Sequence, residues 1–161
     1  MLSPKKSLNI LRKTNALLEG HFVLSSGLHS SKYIQCAKLL SFPHIAEKIC
    51  KSLANKIKRN IKKFDLILAP AVGGIIIGYE IGRILKKETI FCERVSGKFT
   101  LRRGFKITKG SKVLIIEDVI TTGKSSIECV KLIKKAKAKL VGFASIIDRS
   151  NKKNLKIKSK I

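Results

Sequence analysis

The stretch Val113-Leu-Ile-Ile-Glu117-Asp118-Val119-Ile120-Thr121-Thr122-Gly123-Lys124-Ser125 brings together residue types that can do chemistry at short spacing. An apolar strand ends in two adjacent carboxylates, and a turn of hydroxyls and glycine follows. Open α/β sheets bind ligands at the carboxyl ends of their strands. Because the turn leads directly into a helix, successive backbone N–H groups, the Thr and Ser hydroxyls and the positive helix end converge where a phosphate dianion can sit. Gly123 lets the backbone approach that anion closely. Glu117 and Asp118 then lie one phosphoribose length away, where carboxylates suit the two vicinal hydroxyls of a ribose. Neighbouring acids at the end of an apolar strand are costly unless they are used, which counts against an ordinary turn with incidental acids.

Two other phosphate motifs fail on spacing. Gly123-Lys124-Ser125 supplies the end of a Walker A loop, but Asp118 stands where its first glycine must be. Gly73, Gly74 and Gly78 do not have the G-x-G-x-x-G spacing of a dinucleotide fingerprint.

The elements that must position this loop follow from periodicity. Leu8, Leu11 and Leu18 form an irregular apolar face before Gly20, which predicts an N-terminal helix with a glycine stop. Phe22-Val-Leu and Tyr33-Ile-Gln-Cys flank the Ser25 to Ser31 segment and predict a hairpin. From Pro43, Ile45, Ile49, Leu53 and Ile57 recur every four residues against a basic opposite face, the clearest amphipathic helix of the chain. Asp65 to Pro70 reads as a buried strand, Val72 to Gly74 as a turn, Ile75 to Leu85 as an apolar helix and Thr89 to Arg94 as a strand. Ser96 to Gly110 is basic and glycine-punctuated without a sustained period, and predicts a long mobile loop or ribbon. The strand Lys112 to Asp118, the helix Lys124 to Lys135 and the strand Leu140 to Asp148 complete the set. Alternating strands and helices from Asp65 onward predict a parallel sheet covered on both faces.

Composition bounds the rest. A chain of 161 residues with 44% hydrophobic and 28% charged residues predicts one compact domain rather than a disordered basic tail. The formal net charge is +25, from 35 Lys or Arg against 10 Asp or Glu. Lys far outnumbers Arg and Ile far outnumbers Ala, a pattern compatible with A+T-biased codons spreading Lys over any solvated surface. The functional reading is a field that concentrates anionic ligands, either nucleic acid or phosphorylated small molecules. The absence of Trp and the few aromatics speak against a base-stacking platform. No apolar run is long enough to span a bilayer, and the N-terminus lacks the pattern of a secretion signal. Cys36, Cys50, Cys92 and Cys129 show neither a C-x-x-C pair nor His at metal spacing, so neither a zinc site nor a disulfide framework is expected and the default compartment is a reducing cytoplasm.

The Glu117 to Ser125 segment resembles the phosphoribosyl-diphosphate (PRPP) signature of type I phosphoribosyltransferases. Three further segments narrow the resemblance to orotate phosphoribosyltransferase. Phe22-Val-Leu-Ser-Ser26-Gly27-Leu-His-Ser30-Ser-Lys-Tyr33 resembles its substrate hairpin, and Glu93-Arg94-Val-Ser-Gly-Lys98-Phe-Thr-Leu-Arg102-Arg103-Gly-Phe resembles its catalytic loop. Asp148-Arg149 resembles the strand end that holds the base. The resemblance runs from about residue 8 to 150.

It implies an α/β fold of the type I phosphoribosyltransferase kind: an open parallel sheet flanked by helices, with a small N-terminal helix and hairpin hood. Residues 1–40 would form the helix and substrate hairpin of a single domain, residues 44–150 the core and residues 151–161 a short basic tail, with the family's usual C-terminal segment absent. The implied reaction transfers the phosphoribosyl group from Mg²⁺-bound PRPP to orotate, giving orotidine 5′-monophosphate and pyrophosphate for UMP synthesis. Arg94 and Lys98 are the implied catalytic residues. PRPP would be held by Arg94, Lys98 and Glu117, Asp118, Val119, Ile120, Thr121, Thr122, Gly123, Lys124 and Ser125, with Val72 and Gly73 in the turn that receives pyrophosphate. Thr121, Arg149, Tyr33 and Ile34 would contact orotate, Arg149 pairing with the carboxylate that distinguishes orotate from uracil. No side chain is expected to ligate Mg²⁺, which PRPP mainly holds. A homodimer is implied, the catalytic loop reaching the neighbouring subunit's site. Some family members have Lys where Ser25 stands, Tyr-Lys where Val72-Gly73 stand and a loop His where Thr100 stands. The alternatives are a purine-specific phosphoribosyltransferase and a PRPP-sensing regulator that binds nucleic acid through the basic face; nucleic acid and membrane are not the expected partners.

Overall fold

The computed structural model describes residues 2–23, 27 and 29–150, so the expectations for Ser25, Ser26 and the 151–161 tail lie outside the described residues. The chain divides into two compact units, residues 1–49 and 50–161. The division falls inside a helix, nine residues beyond the end of the hood anticipated from sequence.

In the first unit, α1 (Pro4–Lys13) starts at Ser3, whose hydroxyl accepts the Lys6 N–H at 3.3 Å, with Pro4 in the first turn. It ends well before Gly20. The Thr14 hydroxyl donates to the Ile10 carbonyl at 2.9 Å, and Asn15 takes a left-handed φ of 52° that stops the helix. Leu17 and Leu18, assigned to this helix by their apolar character, instead open β1 (Leu17–Val23), which pairs antiparallel with β2 (His29–Ile34). Gly20 lies where the register shifts between Glu19 and Phe22, so it marks an irregularity in the strand rather than a helix stop. The antiparallel pairing is as expected, with Phe22 and Tyr33 rings 5.6 Å apart across it, but β2 takes His29 to Ser31 from the expected connection and ends at Ile34, so Gln35 and Cys36 fall outside the strand. A five-residue helix, α2 (Cys36–Leu40), follows that periodicity is too short to reveal.

The helix foreseen from Pro43 is α3 (Pro43–Asn60). Its stripe buries Ile49, Leu53 and Ile57, with Ala46, Cys50 and Ala54 beside them. The second unit holds a five-stranded sheet in the order β5-β4-β3-β6-β7. Its strands are β3 (Leu66–Pro70), β4 (Glu88–Val95), β5 (Lys98–Thr100), β6 (Lys112–Ile120) and β7 (Lys139–Asp148). β3, β4, β6 and β7 run parallel, and β5 turns back antiparallel on β4. Leu66 to Pro70 and Val113 to Glu117 are buried without a break, as strands covered on both faces must be. Leu66, Leu68, Val113 and Ile115 pack with Cys129 and Ile133 of α5 (Lys124–Lys135) on one face.

On the other face lies α4 (Gly73–Leu85), which starts two residues earlier than its apolar run suggests. Gly74, Gly78 and Gly82 form a stripe at intervals of four. A Cβ on Gly78 would stand 2.8 Å from Ala69 Cβ, and one on Gly74 would stand 3.0 Å from the Ile116 carbonyl oxygen. The missing side chains let the helix backbone lie against β3 and β6.

The Ser96 to Gly110 segment is anchored in the core. Phe99 and Ile107 are buried in the cluster under α5, Leu101 and Phe105 pack against it, and Phe105 meets Phe91 edge-on at 5.1 Å. The four cysteines are free and buried. Burial pushes the Cys50 thiol up to about 12; a hydrogen bond with Cys92, 3.4 Å away, and burial raise that of Cys129. These thiols fill the core as small apolar groups.

The glycine stripe gives a direct test. Gly78→Val should cost about 1–3 kcal/mol by overpacking α4 against β3, read from urea unfolding midpoints followed by circular dichroism.

Candidate active site

Sequential strands in the parallel part of the sheet take the spatial order second, first, third, fourth, so the connections diverge between β3 and β6. A crevice opens at such a switch point at the carboxyl ends of the strands. The turn after β3 and the loop after β6 both end there. They meet at one contact: a Cβ on Gly73 would stand 2.6 Å from Asp118 Cγ, so the carboxylate occupies the space that glycine leaves. The Ala71–Val72 peptide beside it is cis, and the Ala71 N–H donates to the Cys92 carbonyl at 2.7 Å.

The two acids are in different surroundings. Glu117 is buried, and Ser126 Oγ donates to its Oε1. Burial pushes its carboxyl above the ordinary range, with the Asp118 charge adding to the rise and the Ser126 hydroxyl opposing it. Asp118 is half-buried and its Oδ1 accepts the Val119 N–H at 2.9 Å. Beyond them Gly123 takes φ +73° and begins α5 without a side-chain cap, while Thr122 Oγ1 accepts the Lys124 N–H at 3.4 Å. Thr121, Thr122 and Lys124 are exposed around this helix end. Its first turn has no acidic residue. Backbone amides and a lysine at a positive helix end are groups that can hold an anion.

The sequence-assigned residues Val72, Gly73 and Glu117 to Ser125 therefore lie on the two segments that follow β3 and end β6 at the switch point. Arg149 joins them: its N–H donates to the Ile120 carbonyl at 2.8 Å, and Asp148 pairs with Ile120 in the ladder, which sets Arg149 beside Thr121. Tyr33 and Ile34 lie half-buried on β2 of the first unit, Tyr33 opposite Leu18. Lys98 is exposed at the start of β5, opposite Val95. Arg94 is engaged on its own chain. Its Nη1 donates to the Gly97 carbonyl at 2.7 Å and to Glu128 Oε2 at 2.8 Å, and its guanidinium lies 4.2 Å from the Phe99 ring centroid. Arg103 reaches Glu93 at 3.3 Å.

Ser126 and Glu128 were not singled out from the sequence. The usable signal was scarcity: with 10 acids against 35 bases, an acid on α5 is informative by itself.

The phosphoribosyl transferase domain model matches residues 40–161. Orotate phosphoribosyltransferase of Caldicellulosiruptor bescii is 49% identical over 146 residues, covering 91% of this chain and 76% of that protein. The chain belongs to the orotate phosphoribosyltransferase family. Among solved structures, the orotate phosphoribosyltransferase of Aeropyrum pernix superposes with a TM-score of 0.77 at 23% identity, covering 88% of this chain and 80% of that one. An adenine phosphoribosyltransferase of Saccharomyces cerevisiae gives 0.70 at 16%, covering 88% and 89%. Likeness at these identities reports the shared phosphoribosyltransferase fold and does not separate orotate from adenine.

The raised Glu117 carboxyl sets a pH dependence. Below the ordinary carboxylate value it is protonated in both the folded and unfolded chains and has no differential effect. As pH rises through the ordinary value and then the raised one, ionisation favours the unfolded chain and stability falls. Glu117→Gln removes this penalty and keeps an acceptor for Ser126. Its stability relative to the parent should therefore rise between about pH 4 and neutrality in urea titrations, while PRPP binding weakens.

Proposed function

We propose that this chain transfers the 5-phosphoribosyl group from PRPP to N1 of orotate, giving orotidine 5′-monophosphate and pyrophosphate in de novo pyrimidine synthesis. The observation that carries the reading is the switch point between β3 and β6, where an acid pair ends a buried strand, Asp118 fills the space left by Gly73, and a left-handed glycine starts α5. The 49% identity to a protein named orotate phosphoribosyltransferase supports orotate as the base.

The division of labour follows from the chemistry. The 5-phosphate sits at the start of α5 among Thr121 to Ser125, and Asp118 and Glu117 address the ribose hydroxyls. The diphosphate lies against the Ala71 to Gly74 turn, so Asp118 and Gly73 form a shared wall between the two ends of PRPP. As the bond from C1 to the diphosphate oxygen breaks and the bond to N1 forms, positive charge develops on the ribosyl ring and negative charge on the leaving group. Carboxylates beside the ring stabilise the first. The loop after β4 serves the second, with Lys98 as its exposed cation and Arg94 at its root. The same loop would help exclude water that would hydrolyse PRPP. Arg149, beside Thr121, pairs with the orotate carboxylate.

Mg²⁺ would be held mainly by the substrate, with Asp118 the nearest carboxylate of this chain to the diphosphate turn. Glu117 is tied to Ser126 and Asp118 shares the crevice with Gly73, a donor set that suits an ion whose ligands come chiefly from the diphosphate. The ion supplies further neutralisation of the leaving group's charge.

The partner in this reading is a second copy of the chain. Val72, Ile76 and Tyr79 are 82%, 55% and 67% exposed and fall on one face of α4, continuous with the diphosphate turn. An apolar stripe that adjoins the site is best explained by a covering subunit. Among the described residues no helix is long and apolar enough to cross a membrane.

Mixing the protein with PRPP, Mg²⁺ and orotate should deplete orotate absorbance, and uracil or adenine in its place should not be consumed. Lys98→Ala should lower kcat about 100-fold; Arg149→Ala should mainly raise the KM for orotate. Turnover of adenine instead of orotate would overturn the assignment of the base. Ile76→Glu should convert a dimer into a monomer in sedimentation velocity. Mixing Lys98→Ala with Asp118→Asn should restore activity that neither has alone if the loop acts across the dimer.

A further inference from the structure

The chain has three histidines, and the hairpin of the first unit brings two of them together. His21 lies in β1, in the stretch between Glu19 and Phe22 where the register shifts, and His29 opens β2 opposite Val23. Irregularities of this kind re-aim a side chain. His21 Nε2 stands 2.6 Å from His29 Nδ1, with the ring centroids 4.8 Å apart and the ring planes 23° from parallel. Both residues are exposed, so burial does not account for the approach. One of the two facing nitrogens carries a proton and the other offers it a lone pair.

We propose that His21 and His29 form a binding site for an imidazole-preferring divalent transition-metal ion, of the class of Zn²⁺ and Cu²⁺, which ties β1 to β2. Ligand nitrogens at the usual distance from a tetrahedral zinc ion stand about 3.3 Å apart. The two exposed rings therefore part by about 0.7 Å to admit one. His21 binds through Nε2 and His29 through Nδ1. The proton between them moves to the far nitrogen of the ring that held it, so a neutral pair takes up the ion without net proton release. Among the described residues no third His, Cys, Asp or Glu completes a ligand set, and water fills the remaining positions.

Charge decides which ions the pair can hold. A net charge of +25 disfavours a cation drawn in by the field alone, and Glu19, the acid on β1, is already paired with Arg12 at 3.0 Å. A cation here is held by coordination to neutral nitrogen, which suits Zn²⁺, Ni²⁺ or Cu²⁺ and not Mg²⁺, whose ligands are oxygens. The site is thus separate from the Mg²⁺ of the transfer reaction and does not depend on that reaction. Because the bound ion bridges two strands, it stabilises their pairing by mass action.

The experiment titrates Zn²⁺ into the full chain, prepared without a histidine tag, by isothermal calorimetry. The parent should bind one equivalent, and a large excess of Mg²⁺ should not displace it. His21→Gln and His29→Gln should each weaken binding about tenfold or more, since losing only a hydrogen-bond partner of a ligand already costs that much. Either single substitution should remove most of what the double variant removes. His44→Gln, at the remaining histidine, exposed on α3, should leave the affinity unchanged. All the substituted side chains are exposed, and circular dichroism without metal should match the parent. Electron paramagnetic resonance with one equivalent of Cu²⁺ should show two imidazole nitrogens in the parent and one in each single hairpin variant. A parent that binds no Zn²⁺, or whose Cu²⁺ spectrum shows fewer than two imidazole nitrogens, would overturn the proposal without recourse to any variant. Unchanged affinity in both hairpin variants, or a loss that follows His44→Gln instead, would overturn it as well.

Discussion

Burial of β3 and β6 on both faces governs where polar chemistry can occur in this molecule. With Leu66 to Pro70 and Val113 to Ile116 closed off by α4 on one side and α5 on the other, charged groups on these strands can sit only at their ends. The parallel pairing brings both carboxyl ends to one edge, where the connections diverge and sheets of this kind take their ligands. Depth then divides the acid pair. Glu117, the last buried residue of the run, needs Ser126 as a partner, whereas Asp118, one residue further on, reaches the gap left by Gly73. One extra residue of strand separates a buried carboxylate held by Ser126 from a half-buried one beside the start of α4.

The small acidic complement organises the basic loop. Arg12, Arg83, Arg94 and Arg103 each pair with a carboxylate, while Asp65 accepts the Lys112 N–H where β3 and β6 begin. The two pairs on the loop, Arg94–Glu128 and Arg103–Glu93, each contribute only about 0–1 kcal/mol. Their importance lies in choosing a conformation for a long basic segment whose charges otherwise repel one another.

The phosphate loop was legible in the sequence because its parts are contiguous: strand, acids, turn and helix start fall within Val113 to Ser125, and local spacing suffices. The central strands and the Pro43 helix were legible for the same reason, through unbroken apolar runs and a period of four. Arg94–Glu128 was not, because the partners stand 34 residues apart and meet only through the packing of α5 on the sheet. The N-terminal helix was drawn too long because Leu17 and Leu18 suit a helix face as well as a strand; a threonine bond to Ile10 and a left-handed asparagine decided the matter. The glycines of α4 read as a turn followed by an apolar helix, although their spacing of four marks the face on which that helix approaches the sheet.

β5 is only three residues long, turns antiparallel to the parallel strands, and leaves Lys98 and Thr100 in solvent while Phe99 enters the core. Short, lysine-bearing edges of this kind discourage strands of other molecules from adding to a sheet. The hairpin that presents the loop cation therefore also shields the β4 edge. Selection on this segment answers to solubility as well as to turnover, and a change that frees the loop to move also bares a template for self-association.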